Sequence, residues 1–168
     1  MGEPRQRRMK SRGSTLLELA SPPVVRINGR LAHESFLMNG RTILVVDDDP
    51  GFLAMCCELL ETSGYAVVTA SSGTAAIRIL DTSPEVDLVV VDIFMPERDG
   101  FEVIAFVRGR HPRPSVVAMS GGGTLGTSGK DVLDQARLLG ASAVLRKPFT
   151  HGDLIAAIAQ AGGRTSPR

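Results

Sequence analysis

DLVVVDIFMPERDG, residues 87–100, places a carboxylate, Asp92, at the end of an apolar β-branched run, which is how a buried parallel strand finishes. A second apolar run, Ile43 to Val46, ends in Asp47, Asp48 and Asp49. Two strands that both stop in acids bring negative charge to one edge of a sheet. Carboxylates that repel one another do nothing for folding, so the pattern points to chemistry.

Outward from these runs, the chain from Arg41 alternates strand and amphipathic helix. Strands are expected near residues 42–47, 65–70, 86–92, 114–120 and 142–146, with helices in the gaps and after the last. Asp49 reads as the N-cap of the first helix, with Pro50 at its first position. Ser71 or Ser72 would cap the second, and Asp99, before Gly100, the third. Gly64 and Gly140 stand where helix ends take a left-handed residue. Five such units imply a doubly wound α/β fold: a five-stranded parallel sheet, right-handed crossovers and helices on both faces. Ligands of such sheets bind at the carboxyl ends of the strands.

The 168 residues suit one well-cored domain and a tail. The net charge of +1 is unevenly spread: residues 1–40 hold seven Lys or Arg against three acids, residues 41–168 twelve against fifteen. The basic head, with Arg5, Arg7, Arg8, Lys10 and Arg12, has neither aromatic partners nor helical periodicity, so it reads as a disordered leader and not as a nucleic-acid surface. Residues 41–162 are expected to form the domain and 163–168 a flexible tail. Met38 lies four residues before the first strand, which raises the hypothesis that translation starts there. Intact mass of the natively expressed protein decides it. Cys56 and Cys57 are adjacent in a helix, with no disulfide or zinc spacing. Glu18 and Pro22-Pro23 break up the LLELA segment, so it is a poor signal-peptide core. No apolar run approaches membrane-spanning length. The expected place is the cytoplasm, with no membrane partner.

The expected strand ends carry the chemistry. The first strand ends in Asp47 and Asp48, the third in Asp92, the fourth in Ser120, and the fifth in Arg146, Lys147 and Pro148. Crowded carboxylates resist ionisation unless a cation sits among them. Magnesium is the natural guest, with manganese as the alternative, because it takes oxygen ligands and bridges carboxylates to phosphate. A lysine and a hydroxyl beside it complete a phosphoryl pocket, in which Asp92 is the nucleophile.

Here the chain resembles a known family, the CheY-like receiver domains of two-component response regulators, over residues 41 to about 162. VVDDDP resembles the family's acidic motif, DIFMPERDG its phosphoacceptor motif, AMSG its strand-four hydroxyl motif and KPF its lysine-proline motif, in order and spacing. The resemblance implies that Asp92 accepts phosphate from a histidine kinase or phosphotransfer protein. It implies that Asp48, Asp92 and the Phe94 carbonyl bind the metal, while Asp47 acts through charge and neighbouring groups. Ser120 and Lys147 would hold phosphoryl oxygens, and Pro148 would follow a cis bond. The family's switch aromatic, three residues before the lysine, is Val144 here. The segment 121–131, GGGTLGTSGKD, is unusually long and rich in glycine, and the hypothesis is that it moves instead. Equal amide exchange there with and without a phosphate mimic would count against this.

The expectation is therefore a single-domain response regulator that signals by protein contact, and the resemblance implies the fourth helix, fifth strand and fifth helix as the face used. It is not a turnover enzyme, although it would dephosphorylate itself. A phosphate shuttle or sink is an alternative, homodimerisation stays open, and a pseudo-receiver is opposed by the intact acceptor set. The rival from another class is a haloacid-dehalogenase-like phosphohydrolase with Asp47 as nucleophile of an Asp47-x-Asp49 motif. Against it, Gly51 stands where Thr or Val is expected. Gly121, Gly123 and Gly126 match a dinucleotide fingerprint formally, but Arg146 and Lys147 stand where its acid belongs. Gly129-Lys130 fails as a P-loop because Asp131 follows the lysine. Met55 and Met119 read as core. His33, His111 and His151 read as loop or leader residues without a role. The Phe94 ring is expected to cover the site partly and slow water attack.

Overall fold

Apolar runs bounded by glycine and capping residues become parallel strands, because helices cover both faces. A computed structural model describes residues 26–27, 30–31, 40–83, 85–96, 100–121 and 129–162. Arg26–Ile27 (β1) and Arg30–Leu31 (β2) pair antiparallel, inside the segment read from sequence as an irregular leader. The main sheet is built from β3 (Thr42–Val46), β4 (Ala66–Ala70), β5 (Val86–Asp92), β6 (Ser115–Ser120) and β7 (Ala143–Arg146). All pairings are parallel and the order is β4-β3-β5-β6-β7. Among the described residues the helices are α1 (Pro50–Thr62), α2 (Gly73–Thr82), α3 (Gly100–Arg108), α4 (Gly129–Leu139) and α5 (His151–Gly162).

Side chains alternate across the sheet with a period of two. Leu44, Val46, Val89, Val91, Val116 and Ala118 pack with α2, α3 and α4. Ile43, Val45, Leu88, Val90, Val117 and Met119 pack with α1 and α5. Truncating a fully buried member such as Leu60, Leu80 or Leu154 to alanine costs about 2–5 kcal/mol.

Local signals explain the element ends. The Asp49 side chain accepts from Gly51 N and Phe52 N, with Pro50 opening α1. Of the two serines, Ser72 caps α2, accepting from Ala75 N at 3.2 Å. Gly64 and Gly140 adopt φ of 84° and 116°, the left-handed region that glycine enters freely. The Asp99 cap and residues 122–128 of the glycine-rich segment lie outside the described residues, while Gly129, Lys130 and Asp131 belong to α4.

Two expectations need correction. Met55 is not core but 43% exposed, because Leu53, Cys56 and Leu60 form the inward stripe of α1. His151 is not in a loop: it opens α5, where its Nε2 lies 2.9 Å from Ser63 Oγ. The β3–β5 ladder carries an irregularity that the sequence did not signal. Its register shifts at Asp87, whose Oδ2 accepts from Thr42 N at 2.8 Å. The extra residue turns a carboxylate out of the ladder and satisfies the first N–H of β3.

Candidate functional site

The strand order places β3 and β5 side by side, with their crossovers departing in opposite directions. A crevice opens at their carboxyl ends. Asp47 follows β3 directly and is 1% exposed, held in line by Asp47 N donating to Ala70 O at 3.1 Å. Asp92 ends β5 and is 7% exposed. Lys147 follows β7, with its N donating to Ser120 O at 2.9 Å. From there its side chain crosses the end of β6. Nζ donates to Asp47 Oδ2 at 2.6 Å and to Asp92 Oδ2 at 2.8 Å. The other oxygens have weaker calls on them: Asp47 Oδ1 accepts from Asp49 N at 2.9 Å, and Asp92 Oδ1 from Phe94 N at 3.3 Å.

Burial pushes the Asp92 carboxyl above its ordinary range, and the Asp47 charge adds to this; the hydrogen bond and charge of Lys147 oppose without prevailing. For Lys147, burial favours the neutral amine, but the hydrogen bonds and charges of Asp47 and Asp92 outweigh it and raise its pKa. Burial, with Asp47 nearby, lifts the Cys56 thiol to about 11, so it is an inert core thiol.

Asp47, Asp48 and Asp92 each offer an oxygen, and these oxygens lie within 4.8 Å of one another. Both Asp47 oxygens already accept hydrogen bonds, whereas Asp48 is exposed and Asp92 Oδ1 is lightly engaged. This all-oxygen, anionic donor set suits a hard divalent cation such as magnesium or manganese. Asp49 does not join it: its Oδ1 caps α1 at 2.8 Å from Gly51 N. The Asp47-x-Asp49 motif is therefore split between an ion pair and a helix cap.

The remaining predicted residues fall around this centre. Ser120 is fully buried and its Oγ donates to Gly121 O at 2.8 Å. Phe94 is 41% exposed. Val144 packs against the core beneath α4. The Lys147–Pro148 bond is cis, and so is His111–Pro112, which the sequence did not signal. Sequence reading also missed Phe52, whose ring centroid lies 4.1 Å from Lys147 Nζ. Its only signal was an aromatic three residues after the capping Asp49.

The strand order is that of a flavodoxin-like α/β fold, and it gathers three acids and a lysine at its carboxyl edge. Residues 43–159 match the family of the response regulator receiver domain, and the chain belongs to that family. It is 35% identical over 116 residues to the transcriptional regulatory protein CpxR of Escherichia coli K12, covering 69% of this chain and 47% of that protein. It is 33% identical over 125 residues to the transcriptional regulatory protein PdtaR of Mycobacterium tuberculosis H37Rv, covering 74% and 58%. Among solved structures, a receiver domain protein from Clostridium thermocellum aligns with a TM-score of 0.67 at 35% identity, covering 74% of this chain and 95% of that one. The chain spans about half the length of the curated relatives it matches. Receiver domains are signalling phosphoacceptors of two-component systems. Among the described residues no helix is long and apolar enough to cross a membrane.

Proposed function

We propose that residues 41–162 are a phosphorylation-controlled switch whose phosphate acceptor is Asp92. One observation carries this reading: Lys147 bridges Asp47 and Asp92 at 2.6 and 2.8 Å, beside a third carboxylate, Asp48. Asp48, Asp92 and the Phe94 carbonyl would hold magnesium or manganese, and Asp47 would act through Lys147. The bound cation supplies positive charge against the phosphoryl oxygens.

The phosphodonor is a histidine kinase or a histidine phosphotransfer protein. An Asp92 carboxylate oxygen attacks phosphorus, a P–O bond forms as the donor's P–N bond breaks, and the leaving imidazole keeps the electron pair and takes a proton. Lys147 exchanges Asp92 Oδ2 for a phosphoryl oxygen, so positive charge stays where negative charge develops. Ser120 exchanges the Gly121 carbonyl for another, which draws the start of the following loop inward. The half-exposed Phe94 ring slows water attack on the acyl phosphate, and Phe94→Ala shortens the lifetime of the phosphorylated form.

Signalling is by contact with a downstream protein in the cytoplasm. Between β7 and α5 lies a shallow depression of about 370 Å³ lined by Val144, Leu145, Arg146, Pro148, Asp153 and Gln160. With Val144 in place of an aromatic, the contact between Ser120 Oγ and the Gly121 carbonyl is the one that changes. Beryllofluoride and a small phosphodonor test the acceptor. Loss of both adducts in Asp92→Asn supports the reading, and loss confined to Asp47→Asn supports a hydrolase instead.

A further inference from the structure

Lys147 Nζ carries three protons, and two of them go to Asp47 Oδ2 and Asp92 Oδ2. The Phe52 ring stands against the same ammonium, its centroid 4.1 Å away, well within cation–π range. Phe52 is fixed from two directions. Its backbone N donates to the Asp49 carboxylate at 3.2 Å, and its ring meets Phe149 edge-on, with centroids 5.8 Å apart and planes at 87°. The Lys147 side chain is left 20% exposed, which is low for a residue that usually keeps its ammonium in water.

We propose that Phe52 is a positioning residue for Lys147, its ring face holding the ammonium at the carboxylate pair while Lys147 changes oxygen partners. The inference rests on Asp92 and Lys147 acting as set out above. During that exchange a flexible lysine has one carboxylate bond broken and one phosphoryl bond unmade, and water competes for it. The ring's negative face attracts the cation whichever oxygen it bonds, so the side chain is kept in place throughout. Leucine fills similar space but has no such face. Pentafluorophenylalanine keeps the shape and reverses the charge of the face.

Two measurements on the full chain test this. Proton NMR of Lys147 reads the geometry without any phosphate: its ε-methylene protons resonate upfield in the wild type and return to ordinary lysine shifts in Phe52→Leu. Phosphate uptake from acetyl phosphate with magnesium, followed by intact mass, reads the function. Phe52→Leu and Phe52→pentafluorophenylalanine slow uptake about fivefold, Phe52→Trp stays within about twofold of wild type, and Phe52→Leu adds nothing in a Lys147→Met background. An absent upfield shift overturns the proposal, as does an unchanged rate in the pentafluorophenylalanine protein, which keeps the packing should the leucine variant fail to fold. If the wild type takes up no phosphate, the reading of Asp92 fails and the role in oxygen exchange falls with it, while the shift still decides whether the ring holds the ammonium at the carboxylate pair.

Discussion

Lys147 and Asp47 are one hundred residues apart in the chain and 2.6 Å apart in space. The contact closes the sheet's carboxyl edge, because Asp47 follows β3 and Lys147 follows β7. Removing the lysine would leave two buried carboxylates facing each other. Lys147→Met should destabilise the fold by about 3–5 kcal/mol near neutral pH, read by chemical denaturation.

The same pair sets an alkaline limit. The folded-state pKa of Lys147 is raised above 10.5 by Asp47 and Asp92, against the opposing effect of burial. The native state thus holds this proton more tightly than the unfolded chain. The stabilisation is complete below the ordinary lysine pKa and is lost as pH rises through the folded value. Denaturation at pH 8 and pH 11 should show the gap between wild type and Lys147→Met narrowing; a constant gap would remove the ion pair from the account.

Asp92 has the opposite relation to stability. Its raised pKa means that, without a cation, keeping the carboxylate ionised weakens the native state once pH exceeds its ordinary value of 3.8. Asp92→Asn should therefore raise Tm by a few degrees at pH 7 in chelator. Magnesium should stabilise the wild type, by about 1.4 kcal/mol at ten times Kd, and this gain should vanish in Asp48→Asn. A thermal melt series with and without the cation checks both.

Asp49 separates capping from metal binding. Its carboxylate caps α1, so Asp49→Ala should cost about 1 kcal/mol of stability. Magnesium affinity, measured by calorimetry, should stay within about twofold of wild type, since one turn of helix would fray without moving Asp48 or Asp92.

Gly100 is required by close approach. A Cβ there would overlap the Asp92 carbonyl oxygen and lie 2.8 Å from Ile93 Cα, while Gly100 N already donates to Ile93 O at 2.9 Å. Gly100→Ala should destabilise by about 1–3 kcal/mol and shift the backbone resonances of Asp92.

The sheet was legible because its strands are largely apolar, β-branched runs whose ends are marked by acids, caps and left-handed glycines. The site was legible for the same reason: Asp47, Asp48, Asp92, Ser120 and Lys147 sit where runs end, and a parallel sheet gathers such ends at one edge. What stayed hidden depends on packing between elements distant in sequence. Whether Met55 or Cys56 faces inward is decided by the sheet beneath α1. The Asp87 shift reflects the fit of β5 to β3, and the Phe52 ring gains its meaning from a lysine that only the finished fold brings over it.

The central claim is that Asp92, alone among the clustered acids, carries the phosphoryl group. Borohydride reduction of the acetyl-phosphate-treated protein converts an aspartyl phosphate to homoserine, and peptide mapping by mass spectrometry locates it. The prediction is homoserine at position 92 and none at 47 or 48. Homoserine at 47 with an unmodified 92, or none at any of the three, would contradict it.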